Sequence, residues 1–334
     1  MKLSVIVPVY NKAPFLAACF ESIFSQSFGD FELIVVDDKS TDNSLEVLGS
    51  LRDERLRIVP LERNHGPAGA AQRAMDLAKG EYIIRVDADD INLPERFAKQ
   101  VAFMDDRPEV GASGGHLELF GEETGLWEYP IGQDDCHAEL LFGNPVVQGA
   151  SILRTALLRE KDLRFDDHWP RIGEDWLFWV RMSPHCRFDN LDMPLIRYRR
   201  GEQNSMHGQA HAEYRAVIVR EVFAMLDIPL NDEQCALHML GLRSFPRPPA
   251  PQDVRSFRGW LDTLRRMNED RGTFPREAFE RRLRRAWSEL FFALPRFGVA
   301  PALAHYRADE RKDPERLVYL AKYTLNRWLG RKVP

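Results

Sequence analysis

The sequence predicts an α/β fold, a mostly parallel sheet flanked by helices, followed by an α-helical C-terminal extension. Three observations predict it. Short Val/Ile-rich runs alternate with helical patterns from Leu3 to Val86, as in a parallel sheet covered by helices. Each of those runs ends in a polar or acidic loop. Beyond a proline cluster at Pro246, Pro248, Pro249 and Pro251, the apolar residues recur at helical spacing only.

Taken in order, Leu3 to Val9 reads as a strand buried on both faces. Pro14 opens a helix with Leu16, Phe20, Ile23 and Phe24 on its apolar side. Phe31 to Val36 and Arg57 to Val59 follow as strands. Residues 67–78 are Ala-rich and helical, with Lys79-Gly80 as the expected C-cap. Glu81 to Val86 is a fourth strand, and Asn92 with Glu95 suggests a capping box for the next helix. A helix is expected through Trp176, Phe178, Trp179 and Met182. The prolines from Pro246 suggest a stiff linker. Leu283, Trp287, Leu290 and Leu294 share one helical face beyond it.

A chain of 334 residues exceeds the usual single core, so two domains are expected, 1–230 and 231–334. Cys19, Cys136, Cys186 and Cys235 form no Cys-x-x-Cys pair, which argues against a zinc site and for a reducing cytoplasm. No run approaches the length of a membrane span. The net charge of −5 is unevenly spread. From Asn231 onward 21 Lys and Arg stand against 13 Asp and Glu, a net of +8, leaving −13 on the remainder. Such an acidic domain is a poor nucleic-acid binder, so no nucleic-acid partner is expected. The last segment, with Leu317, Leu320, Ala321, Thr324 and Trp328 among Arg316, Lys322, Arg327, Arg331 and Lys332, reads as a basic amphipathic helix. Such a helix can pack on its own domain or lie on an anionic membrane, so peripheral contact with the inner face is one expectation.

Parallel sheets bind ligands beyond the carboxyl ends of their strands. The loops there read Tyr10-Asn11-Lys12, Asp37-Asp38-Lys39-Ser40, Asn64-His65-Gly66 and Asp87-Ala88-Asp89-Asp90. Three carboxylates in the four residues from Asp87 repel one another unless a cation lies among them. Oxygen ligands of this kind suit Mg²⁺ or Mn²⁺, which can also bridge a diphosphate. An Asp after the second strand can accept from a base imide or a ribose hydroxyl, or simply cap a helix.

Five segments together resemble the successive signatures of family 2 glycosyltransferases with the GT-A, Rossmann-like fold: Val5 to Asn11, Val35 to Asp42, Asn64 to Gly66, Lys79 to Ile83, and Asp87 to Asp90. The resemblance spans about residues 1–205. It implies inverting transfer from a nucleotide-diphosphate sugar, most often a UDP-sugar, to a hydroxyl of a glycan or lipid-linked acceptor, with Mn²⁺ or Mg²⁺. On that resemblance Pro8, Tyr10, Asp38, Asn64 and Gly66 would meet the nucleotide, and Asp87 the ribose or sugar. Asp89 would ligate the metal, with Asp87 a second candidate. Asp175, in Gly173-Glu174-Asp175-Trp176, would be the general base. Glu174, Trp176 and Gly149, with Gln148 and Arg171, are expected toward the acceptor. Arg199 and Arg200 would meet the diphosphate.

Two departures from the family pattern stand out. Gly201 follows Arg200 where relatives often carry a His, so His207 is only a weak candidate ligand. Gln72 stands where an Ala-Arg-Asn segment is common, so Arg73 would have to supply any donor contact. Two other readings stay open. A sugar nucleotidyltransferase would normally show a Gly-rich phosphate loop, and Pro8 to Lys12 contains no glycine. A catalytically inactive nucleotide-sugar-binding scaffold on the same fold would need no base.

Overall fold

The computed structural model describes residues 1–166, 168–201 and 211–331. The chain forms two compact units: Met1–Leu140 with Asn144–His207, and Leu141–Gly143 with Gly208–Pro334.

The first unit begins with β1 (Leu3–Val9), α1 (Ala13–Phe24), β2 (Phe31–Asp37), α2 (Ser44–Ser50), β3 (Leu56–Pro60), α3 (Gly66–Leu77) and β4 (Tyr82–Arg85). These four strands run parallel in the order β3-β2-β1-β4. β1 and β2 are almost wholly buried, as their unbroken Val/Ile composition requires. Leu16, Phe20 and Ile23 of α1 join Leu3, Val5, Leu33, Val35 and Ile84 in one core.

The alternation ends there, and the rest of the sheet is mixed. β5 (Ile91–Asn92), α4 (Arg96–Asp105), β6 (Val110–Gly121), β7 (Gly125–Trp127), α5 (Gln133–Glu139), β8 (Ile152–Arg154), α6 (Thr155–Glu160), α7 (Glu174–Met182) and β9 (Arg187–Arg200) complete the unit. β8 lies antiparallel between β4 and β6, β9 runs parallel to β6, and β5 pairs antiparallel with β9. Continuous parallel pairing thus runs through β1–β4, where short βα repeats feed it, and recurs between β6 and β9.

Two local expectations give way. Asn92 is no N-cap: it ends β5, and α4 starts at Arg96 with Glu95 before it. The Asn92 carboxamide instead accepts from Arg96 Nη1 at 2.5 Å, because a fully buried guanidinium is the more demanding partner. Gly80 is no C-cap either, since α3 ends at Leu77. Its N–H donates to Ser4 Oγ at 2.8 Å, and a Cβ there would meet the Leu3 and Ser4 backbone at about 2.5 Å.

The second unit contains α8 (His211–Met225), α9 (Asp232–Gly241), α10 (Pro251–Arg271), α11 (Arg276–Ala293), α12 (Val299–Ala308) and α13 (Pro314–Trp328). α8, ahead of residue 231, groups with these helices. The proline cluster lies inside this unit, between α9 and α10, and Pro251 opens α10. Leu283, Trp287, Leu290 and Leu294 are all buried. No helix among the described residues is long and apolar enough to cross a membrane.

Candidate active site

The loops after β1 and β2 both turn on a non-glycine residue with left-handed backbone, Asn11 at φ 52° and Lys39 at φ 64°. Such conformations cost energy and need local support. The support is mutual. Asn11 Oδ1 accepts from Thr41 N at 2.7 Å, and Asn11 N donates to Ser40 Oγ at 3.0 Å. Beside this seam Pro8 pairs opposite Val36, and the Tyr10 ring is 45% exposed.

Asp38 ties in the third loop. Its two carboxylate oxygens accept from His65 N at 2.7 Å and Gly66 N at 2.8 Å. Asn64 Nδ2 donates to the Asp38 carbonyl at 3.0 Å. Burial raises the Asp38 carboxyl above its ordinary value, against the pull of the two N–H groups. Gly66 has φ +80°, a conformation open to glycine at the start of α3. Arg171, expected near the acceptor, lies here instead: its Nη1 donates to Asn64 Oδ1 at 3.3 Å, and its side chain lines Gly66. Asp38→Ala strands the buried Gly66 N–H, so a loss of about 1–3 kcal/mol in unfolding free energy is expected. Denaturant unfolding with an unchanged midpoint would refute this stitching role.

The acidic loop after β4 is held from below by Arg96, whose Nη2 donates to the Arg85 carbonyl at 2.7 Å and whose Nε donates to Gln100 at 3.0 Å. Burial pulls this guanidinium down to about 9. Asp87 Oδ1 accepts from Arg85 Nε at 3.2 Å. Asp89 Oδ2 is paired with Lys12 Nζ at 2.5 Å. Asp90 points inward: Arg199 N donates to its Oδ1 at 2.9 Å, while its Oδ2 is buried with no partner. Burial, then the charges of Asp87 and Asp89, pushes Asp90 well above the carboxylate range. Gly149 belongs beside Asp87 as well: a Cβ there would lie 2.5 Å from Asp87 Oδ2.

Among the described residues no three His, Cys, Asp or Glu converge as a metal cage. Mg²⁺ and Mn²⁺ need none, since one or two carboxylates with phosphates and water suffice. Asp89 with Asp87 fits that lesser requirement, and the Lys12 ammonium already meets Asp89 as a cation would.

Glu174 and Asp175 open α7, after Gly173 in a left-handed conformation. Asp175 Oδ1 accepts from Trp176 N at 2.8 Å, and its Oδ2 from Asn144 Nδ2 at 2.6 Å. Burial pushes Glu174 up to about 8, with the Asp175 charge adding to it. Burial also raises Asp175, but the Trp176 N–H, Arg85 and Asn144 all oppose it. Burial thus raises both carboxyls, and the Trp176 N–H, Arg85 and Asn144 favour the charged form at Asp175. Arg85 links this pair to the acidic loop. It bonds Asp87 through Nε, its charge acts on Glu174 and Asp175, and its buried Nη1 has no hydrogen-bond partner.

The remaining expected residues divide. Arg199 Nε donates to the Asp89 carbonyl at 3.0 Å, and its guanidinium stacks between Phe15 and Phe120. Arg200 Nε pairs with Glu123 at 3.2 Å. Trp176 is corrected to a packing role, being 6% exposed with its indole N–H donating to the Leu140 carbonyl at 2.6 Å. A sugar-stacking face must be open. His207 lies outside the described residues. Sequence reasoning missed Lys12, Arg85, Arg96 and Asn144. Lys12 and Arg85 flank recognised motifs and could have been found there, whereas nothing near Asn144 or Arg96 signals a role.

Known proteins match this frame. The model of "Glycosyl transferase family 2" matches residues 4–160. An uncharacterized glycosyltransferase of Haemophilus influenzae is 31% identical over 217 residues, 61% of this chain and 67% of the relative. The amylovoran biosynthesis glycosyltransferase AmsE of Erwinia amylovora is 31% identical over 206 residues, 59% of this chain and 76% of the relative. Among solved structures, S. aureus TarS 1-349 in complex with UDP-GlcNAc shares the fold. Its TM-score is 0.54 at 21% identity, covering 100% of this chain and 93% of that one. With the strand-end acidic loops and a Glu-Asp pair at the start of α7 already in register, these matches leave one assignment: the chain belongs to glycosyltransferase family 2 and is a glycosyltransferase.

Proposed function

We propose that the protein transfers a sugar, with inversion, from a UDP-sugar to a hydroxyl of a glycan or lipid-linked acceptor. The observation that carries this reading is the placement of Glu174 and Asp175 at the start of α7, with Asp175 held by the Trp176 N–H and Asn144 and the pair linked through Arg85 to the acidic loop at Asp87.

Asp38 keeps a free lone pair on each oxygen for a base imide N–H after serving the third loop. Tyr10 offers an exposed ring edge or face to the same base, beside Pro8. Asn64, Gly66 and Arg171 bound the nucleotide from the third loop. Arg199, clamped between Phe15 and Phe120, and Arg200 supply positive charge where a diphosphate would leave. Asp89, with Asp87, would hold Mn²⁺ or Mg²⁺, which when bound neutralises the charge that builds on the departing diphosphate. Lys12 then gives up Asp89 and is free to turn to a phosphate oxygen.

On the acceptor side, Asp175 takes the hydroxyl proton as the oxygen attacks the anomeric carbon from the face opposite the diphosphate. The Trp176 N–H and Asn144 fix the orientation of that carboxylate. Glu174, pushed up to about 8 by burial, can donate a hydrogen bond to a substrate oxygen in its protonated form. TarS 1-349, which shares the fold, is in complex with UDP-GlcNAc, which makes uridine the first nucleoside to test, while the mannosyltransferase PcManGT of Pyrobaculum calidifontis, also at a TM-score of 0.54, is in complex with GDP-Man and Mn²⁺.

Calorimetric titration of UDP, first with Mn²⁺ and then with excess EDTA, tests the donor half of this reading. Binding that needs the metal is expected. Absence of UDP binding in both conditions, with binding of GDP, CDP or dTDP in its place, would overturn the uridine assignment. Absence of binding by all four would overturn the enzyme reading.

A further inference from the structure

α13 carries two different apolar faces. Arg316, Leu320 and Tyr323 are buried, and they fasten the helix to its unit. Arg316 pairs with Asp309 and donates to Ser288 Oγ at 2.9 Å. The opposite side is also apolar but faces outward. Leu317 is 37% exposed, Val318 53%, Leu325 54%, Trp328 80% and Leu329, just past the helix, 44%. At the helical advance of about 100° per residue, these side chains and Ala321 fall within an arc of about 120°. The face expected from the sequence mixed the two sides, since it included the buried Leu320 and the outward Leu317, Ala321 and Trp328.

We propose that this outer face is a docking element for an anionic lipid surface. Lys322 borders the strip along one edge and Arg331 follows its end, both exposed, while Arg327 lies toward the packed side and donates to the Arg296 carbonyl at 2.7 Å. They stand in a region whose net charge from Asn231 onward is +8, whereas the remainder of the chain carries −13. An exposed apolar strip rimmed by cations complements the two layers of such an interface, with acyl chains below and anionic headgroups beside. Trp328, the most exposed large apolar side chain of the strip, is the residue type that prefers the headgroup boundary. Lys and Arg stems can lie along the apolar strip while their charges stay in water. The proposed contact runs along the side of the helix; no described helix is long and apolar enough to cross a membrane.

A second copy of the chain is the competing occupant. A parallel symmetric pairing of the strip would bring Lys322 and Arg331 toward their own counterparts, whereas an antiparallel one would set Asp313 and Glu315 of one helix start against Arg331 of the other. Vesicle sedimentation and the oligomeric state separate that occupant from a lipid surface.

The inference does not depend on the proposed transferase reaction, and its test needs no substrate. The purified full chain is mixed with vesicles of phosphatidylcholine and phosphatidylglycerol in equal amounts, or of phosphatidylcholine alone, and sedimented at low and raised salt. Binding to the anionic vesicles, weakened by salt and by omission of phosphatidylglycerol, is expected. The double substitution Leu325→Glu with Trp328→Glu touches only exposed side chains, so its unfolding midpoint should match the native protein. Its vesicle affinity should fall at least about tenfold. Failure of the native chain to sediment with anionic vesicles would overturn the proposal. Equal binding by the double variant would do so as well. So would a dimer, seen by analytical ultracentrifugation without vesicles, that the double substitution dissolves while vesicle binding is absent.

Discussion

Asp175→Asn should lower kcat by about 10²–10⁴-fold while leaving UDP-sugar affinity unchanged, the range expected when a positioned general base is lost. The substitution keeps the shape of the side chain. Oδ1 of the new amide can still accept from Trp176 N, as Asp175 Oδ1 does at 2.8 Å. Its NH₂ would face Asn144 Nδ2, donor against donor. Asn144 can rotate its amide to present Oδ1, which is buried and has no partner at present. The fold should therefore persist, and the loss should fall on proton removal from the acceptor. The measurement is initial-rate transfer beside calorimetric donor binding. Transfer at the native rate would remove Asp175 from the role of base. Loss of donor binding together with rate would show that the substitution disturbed the donor pocket instead.

Asp89→Ala should abolish the metal dependence of UDP binding, with a loss of at least about 100-fold in affinity measured with Mn²⁺ present. Removing an outer-shell partner alone costs about 10–100-fold, and a direct ligand matters more. Lys12 loses its carboxylate partner in this variant. Both side chains are partly exposed, 22% and 11%, so the ion pair itself adds little to stability and the unfolding midpoint should hardly move. Stability and ligand binding thus separate: the fold remains while Mn²⁺ ceases to matter. UDP binding that keeps its native response to Mn²⁺ and EDTA would remove Asp89 from the metal site. The same variant distinguishes a structural role of the Lys12–Asp89 pair from its role as a cation position, because only the former would lower the midpoint.

Much of this site was legible in the sequence because strand ends carry their own chemistry. Asp38, Asp87 and Asp89 each follow a buried apolar run directly, so a parallel sheet delivers them to one edge. Glu174 and Asp175 at a helix start were legible only through the family resemblance, since an acidic first turn is common in helices of every kind. The partners that tune these groups were not legible. Asn144 lies 31 residues from Asp175 in sequence, and Lys12 lies 77 from Asp89. Arg171 is 107 residues from Asn64, a contact that position along the chain does not disclose.

Local rules failed where a buried charge competed for the same group. The Asn92 to Glu95 segment has the form of a helix start, yet Asn92 serves Arg96 because an unpaired buried guanidinium costs more than an unmade cap. Trp176, expected toward the acceptor, is packed for a different reason. An aromatic beside the base suggests a sugar platform, but the indole is spent on the Leu140 carbonyl. In the last helix the periodicity was right and the facing was wrong, since two apolar sides at helical spacing cannot be told apart until one of them packs.

By itself the sequence determined the parallel core of β1–β4, the identity of the carboxylates at its edge and the helical character of the C-terminal region. All of these follow from patterns that span a few residues, where backbone geometry alone decides what faces what. Only the tertiary structure decided the mixed second half of the sheet, the burial and partners of Glu174 and Asp175, the use of Lys12 and Arg85, and the outward face of α13. Each of these depends on which distant groups share a buried volume, where charges interact strongly and every polar atom must find a partner.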